Sequence, residues 1–243
     1  MYGWRGRFGH VSPGLHDTQG LEFNRLLPDG VMVVSTTMTV VQTLADAEFE
    51  QAFSMMEQRA LALAREEVSA IVVGGDPIFC LKGIGSHQRI IDAIYAKTGI
   101  PTSTSISASM DALKSLKVKR LALATPFSTE KNESLRRYLD GSGFEVLAVK
   151  GLGVTRNVDF TRVPFDASYR MAVESFREAE KAEGIYISCP RWPVVMNIDR
   201  LEKDLGVPVI TSTQAMAWFG LKSLGIKEPI KGYGTLLERL ADA

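Results

Sequence analysis

Apolar residues along the chain recur at two spacings. Short β-branched runs alternate with longer stretches in which apolar positions return every three or four residues. That alternation predicts an α/β fold with mainly parallel strands. The expected strands are 8–11, 31–35, 70–74, 120–124, 145–149, 184–188 and 209–211, and the expected helices are 46–67, 87–98, 107–116, 128–141, 167–182 and 213–224. Asp46 stands where a helix N-cap is expected, and Gly99 and Gly141 follow helical stretches as stops.

Three blocks of the first half return in the same order in the second, as in a duplicated chain. Phe8-Gly9-His10-Val11-Ser12-Pro13 matches Leu121-Ala122-Leu123-Ala124-Thr125-Pro126, each a strand that runs into a Ser/Thr-Pro turn. The segment from Ala70 to Asp76 matches that from Gly184 to Pro190, so Gly75 falls opposite Cys189. Gly99-Ile100-Pro101 with Thr104-Ser105 and Ala108 matches Gly206-Val207-Pro208 with Thr211-Ser212 and Ala215. Ligands of parallel α/β sheets bind beyond the carboxyl ends of the strands. The loops 12–18, 75–80, 125–130 and 188–194 are therefore expected to converge on one cleft between two similar α/β halves. Residues 1–115, joined by the helical segment 213–243, form the first half, and 116–212 the second.

Composition narrows the function. Lys plus Arg number 28 and Asp plus Glu 28, so no global basic field would attract nucleic acid or an acidic membrane surface. No apolar run reaches the length of a membrane span, and the start lacks a signal-peptide core, so a cytoplasmic protein is expected. Two cysteines and three histidines make neither a disulfide scaffold nor a metal motif. Gly74-Gly75-Asp76-Pro77 has neither dinucleotide nor P-loop spacing. No metal, nicotinamide, flavin or pyridoxal cofactor is expected, and the partner is a small molecule, a carboxylate or an amide. A homo-oligomer is compatible with this sequence.

Candidate chemistry sits on the four loops. Cys189 ends an apolar strand and opens the polar turn Cys189-Pro190-Arg191-Trp192-Pro193, which places its thiol at the mouth of the cleft, with Arg191 as a cation that can stabilise a thiolate. Read from its position alone, Cys189 is equally a working thiol or an inert packed one. Cys80, between Phe79 and Leu81, reads as packing. Asp76 follows the repeat-mate of Cys189; it serves either as a base, amide clamp or partner of a positive group, or as an Asx turn or cap before Pro77. Ser12, Pro13 and His16 mark the first loop. Thr125 and Phe127 mark the third, and Pro190 and Arg191 the fourth.

These blocks, in this order, resemble the aspartate/glutamate racemase superfamily, and within it the maleate isomerase and arylmalonate decarboxylase branch. The carriers are Val11-Ser12-Pro13, Thr125-Pro126-Phe127, Ser188-Cys189 and the run from Gly206 to Ala215. Racemases and maleate isomerases of this kind use two cysteines, one per half. Here Gly75 takes the first position, which is similar to the decarboxylases, where a lone cysteine protonates one face of an enediolate. The chain departs from them at Asp76-Pro77, Phe127 and Pro190-Arg191, where the decarboxylases carry hydroxyls, a phenol and a backbone N–H for a carboxylate. The resemblance implies a cofactor-independent lyase or isomerase acting beside a carboxyl or carbonyl group, with Cys189 as proton donor or nucleophile. Asp76 and the missing donors keep open a cysteine-dependent hydrolase or racemase of an amide-containing, hydantoin-like substrate. A binding protein that has lost its chemistry is the third reading.

Overall fold

The computed structural model describes residues 2–15 and 18–242, so the first loop's His16 lies outside the described residues. The first half runs β1 (Gly6–Ser12), α1 (Thr18–Leu26), β2 (Val31–Thr37), α2 (Asp46–Arg65), β3 (Ala70–Val73), α3 (Asp76–Lys82), α4 (Ser86–Thr98), β4 (Thr102–Thr104) and α5 (Ser105–Ser115). The second runs β5 (Arg120–Thr125), α6 (Thr129–Asp140), β6 (Glu145–Gly151), α7 (Ala167–Glu178), β7 (Gly184–Ile187), α8 (Ile198–Leu205), β8 (Val209–Thr211) and α9 (Ser212–Ser223). Each half contains one parallel four-stranded sheet, ordered β2-β1-β3-β4 in the first and β6-β5-β7-β8 in the second.

The ladders show that the duplication extends to register. Phe8 pairs with Ala70 where Leu121 pairs with Gly184. Ile71 pairs with Thr102 where Ile185 pairs with Val209. The central strands β3 and β7 are buried along their whole length, which is why they read as unbroken apolar runs rather than alternating ones.

The helices that follow the two last strands join the halves. α5 and α9 pack on each other, and both are rich in small side chains that permit close approach. α9 also packs on α1, β3 and β4. A Cβ at Gly220 would lie 2.8 Å from the Phe8 ring, so only glycine lets α9 come this near β1. A threonine caps each helix at its start. Thr104 accepts from the Ser107 N–H, and Thr211 from the Gln214 N–H, with the Gln214 side chain closing a capping box.

Some expectations change. Asp46 is the first helical residue of α2 and not its cap; the cap is Ala45, and the Glu48 carboxylate instead takes the N–H groups of Gln42 and Thr43. Gly141 keeps helical angles, and the left-handed turn falls at Gly143, φ +94°. Four short elements, α1, α3, β4 and α8, were not expected: β4 is Thr-Ser-Thr, α3 is seven residues opened by Asp-Pro, and α8 is a short run whose Ile198, Leu201 and Leu205 do recur at helical spacing before Gly206. No helix among the described residues is long and apolar enough to cross a membrane.

A buried acid fastens α1 to the segment after β7. Glu22 accepts the N–H groups of Val194 at 2.6 Å and Val195 at 3.0 Å. Burial pushes its carboxyl up to about 7, against the pull of those two N–H groups, the Thr213 hydroxyl and Arg25.

Two outcomes are expected from these contacts. Thr211→Ala removes the capping box and lowers stability by about 1–2 kcal/mol in chemical denaturation; an unchanged midpoint would mean that the box adds nothing. Between pH 4.5 and about 7 the folded chain keeps the Glu22 proton that the unfolded chain releases. This contribution is therefore full below pH 4.5, falls as pH rises and is gone above about 7; the fall amounts to at most about 3 kcal/mol. Glu22→Gln keeps an acceptor for both N–H groups and should flatten that slope, so an identical slope in both proteins would sink the assignment.

Candidate active site

Both inner strands end in the same unusual turn. After β3 the chain bends at Gly75, φ +119°, into α3; after β7 it bends at Cys189, φ +91°. These are the repeat-mates picked out from the sequence. Left-handed angles come freely to glycine but cost a residue with a side chain about 1–3 kcal/mol. Cys189 is held there by its surroundings: the Trp192 N–H donates to the Cys189 carbonyl at 3.2 Å, and Trp192 itself is fully buried.

The fold-back of Pro190, Arg191 and Trp192 corrects the expectation of an open thiol. Cys189 is only 5% exposed. Burial pushes its thiol up to about 12, and the negative charge of Asp76 adds to the rise. The N–H groups of Arg191 and Trp192 and the Arg191 guanidinium pull the other way, so Arg191 does act on the sulfur but does not make it a resting thiolate. Cys80 is buried in α3, and its thiol is likewise raised by burial and by Asp76.

The strand-end loops meet around one cavity. Ser12, Pro13, Gly75, Asp76, Pro77, Phe127, Cys189, Pro190 and Arg191 all line it. Thr125 does not: it is fully buried, its hydroxyl bonded to the Asn132 side chain while accepting from the Phe127 N–H at 3.0 Å, and it holds the turn that presents Phe127. Sequence reasoning missed much of the remaining wall. Val41, Leu44, Phe49, Ile78 and Phe160 make it strongly apolar, and Gln19 and Asn157 add amides. Asn157 donates to the Val41 carbonyl at 2.7 Å, tying the segment after β2 to the opposite half. Val41 and Leu44 lie in an irregular segment and Asn157 opens a short 3-10 helix, none of which any periodicity marks; the paired apolar residues of 40–44 are the one visible signal.

Asp76 departs most from its expected place. It opens α3, yet its carboxylate is 1% exposed and turned into the protein. Oδ1 accepts a short bond from the Ser105 hydroxyl. Oδ2 accepts from Tyr186 at 2.6 Å, Ser188 at 2.7 Å and Ser212 at 3.1 Å. Oδ2 thus carries three hydroxyl donors and Oδ1 one, so most of the carboxylate's accepting capacity is engaged inside the protein, which weakens it as a base or amide clamp for a cleft substrate. Among the described residues it forms no ion pair with Arg191, and it lines the cavity with its carboxylate held by these hydroxyls.

Known proteins fit this architecture. The arylmalonate decarboxylase family matches residues 20–237. Arylmalonate decarboxylase of Bordetella bronchiseptica is 26% identical over 191 residues, 78% of this chain and 80% of that protein. Maleate isomerase of Nocardia farcinica is 24% identical over 96% of each. A liganded double variant of arylmalonate decarboxylase superposes with a TM-score of 0.89 at 23% identity, covering 96% of this chain and 99% of the other. With one such family spanning most of its length and the two-sheet fold in common, the chain belongs to the arylmalonate decarboxylase family, in the branch shared with the maleate isomerases.

Proposed function

We propose that the protein is a cysteine-dependent decarboxylase of malonate-type acids bearing an apolar substituent, with Cys189 as the proton donor. One observation carries this: a single buried, neutral thiol faces a glycine at the equivalent position of the other half, in a cavity with apolar walls. The bond from the α-carbon to one carboxylate breaks, its electron pair passes into an enediolate, and carbon dioxide leaves. The Cys189 S–H then gives its proton to that carbon, and the new C–H bond completes the product. The thiolate left behind is held by the N–H groups of Arg191 and Trp192 and the Arg191 charge until solvent reprotonates it. These same groups that oppose burial in the resting thiol lower the energy of the thiolate once formed.

The walls divide the labour. Phe49, Phe127, Phe160, Val41, Leu44 and Ile78 offer an apolar bed for an aryl or branched alkyl arm, while Ser12, Asn157 and Arg191 are the polar groups for the carboxylates. The opposition of Asp76 to a dianion is softened, because four hydroxyls donate to its carboxylate. Maleate-type isomerisation by covalent addition is less well served, since it calls for a thiolate at rest and, in the two-cysteine enzymes, for a second thiol where Gly75 stands. The hydantoin-like hydrolase reading is less well served too, because four hydroxyls already engage the Asp76 carboxylate it needs as a base.

Carbon dioxide release from a panel of aryl- and alkylmalonates tests the proposal. Cys189→Ser should lower kcat by about 10²–10⁴-fold, the usual share of a positioned acid; a serine variant that keeps full turnover would refute the proton-donor role. In D2O the wild type should label one face of the product. Gly75→Cys places a second thiol opposite, at a site where Cys189 shows that a side chain is tolerated at positive φ. Its Cβ would meet the flexible end of Ile78 at 2.8 Å, so a stability loss of about 1–3 kcal/mol is expected. The folded variant should deliver deuterium to both faces, and labelling confined to the original face would remove the equivalence of the two elbows.

A further inference from the structure

A buried carboxylate with four hydroxyl donors from different elements is more than a helix start needs. Asp76 is the first residue of α3, and Ser105 and Ser212 are the first residues of α5 and α9, while Tyr186 lies on β7 and Ser188 directly precedes Cys189. All five are at most 1% exposed. The Ser105 hydroxyl accepts from the Gly75 N–H at 3.1 Å while donating to Asp76, so the same knot fixes both elbows, one through Ser105 and the other through Ser188.

We propose that Asp76 is a positioning residue, whose hydroxyl-bound negative charge, anchored one residue from Cys189, keeps that side chain a neutral acid rather than a nucleophile. The bonding pattern separates this from plain packing: a neutral residue would satisfy the fold with fewer donors, whereas four donors aimed at one group suit a full charge. Burial is the largest cause disfavouring the anionic forms of Cys189, Tyr186 and Cys80, and the Asp76 charge adds to it at all three. Arg191, on the sulfur's own loop and lining the same cavity, is the opposing charge at Cys189. The thiol therefore feels a fixed negative group tied down by four hydroxyls and a positive group on the cavity wall. Its proton is held at rest and released where a carbanion forms. This assignment rests on Cys189 being the proton donor.

The test needs no substrate. In a Cys80→Ser background, the rate of Cys189 alkylation by iodoacetamide is followed by mass mapping from pH 6 to 10, in the presence and absence of Asp76→Asn. Asparagine keeps the shape and removes the charge. The variant should react at least tenfold faster at pH 8, about one unit of thiol acidity, with its pH profile displaced to lower pH. A folded variant with an unmoved profile overturns the proposal. Should Asp76→Asn lack a cooperative melt, Tyr186→Phe and Ser188→Ala each remove one donor and leave the charge less neutralised. Alkylation at a given pH should then slow severalfold, and an unchanged or faster rate overturns the proposal equally. Persistence of decarboxylation in Cys189→Ser would defeat the proton-donor reading but leave these profiles where they are, so the two failures are distinguishable.

Discussion

The geometry of the site depends on burying one negative charge between two half-molecules. An ionised carboxylate removed from water is costly unless its lone pairs are filled. Asp76 is filled by Ser105 from its own half and by Tyr186, Ser188 and Ser212 from β7 and the start of α9. Separating the sheets would strip three of those four donors from the acid at once. The docking of the halves and the solvation of Asp76 are therefore one requirement, and the strand ends that carry Gly75 and Cys189 are brought to their positions by it.

The two elbows show how a duplicated framework is made asymmetric. At equivalent ladder positions one half spends a glycine and the other forces a cysteine into the same left-handed turn. The glycine leaves room against Pro13 and Ile78, and the cysteine brings its sulfur to two backbone N–H groups. An apolar bed on one side and a single acid on the other make a cavity with a handedness that neither sheet alone possesses. Thr125 illustrates the complementary point: a hydroxyl at a strand end, well placed on paper, is consumed by holding the turn.

Membership of the arylmalonate decarboxylase family accounts for the scaffold, and the local departures account for its chemistry. Asp76, Phe127 and Pro190 stand where the decarboxylases carry groups that bind a carboxylate, and none of the three replaces those groups as a direct donor. Ser12, Asn157 and Arg191 are polar groups that remain on the walls of the cavity. Phe127 adds to the aromatic lining by packing edge-on against Phe160 at 5.6 Å between ring centres.

The sequence by itself determined the α/β class, the duplication and the pairing of Gly75 with Cys189, because these follow from local patterns: apolar runs set which strands are central, and repeated turn chemistry sets the register. Of the eleven site residues it marked, nine line the cavity, since residues leaving the strand ends converge there. Tertiary structure alone decided what those residues can do. Whether Cys189 is exposed depends on Trp192 folding back over it, and whether Asp76 faces the cleft depends on hydroxyls up to 136 positions away in the chain. Val41 and Leu44 enter the wall from an irregular segment and Asn157 from the start of a short 3-10 helix, joined to each other by a contact across the halves. Burial, and with it the acidity of a thiol, is a property of everything packed around a side chain, and no local spacing encodes it.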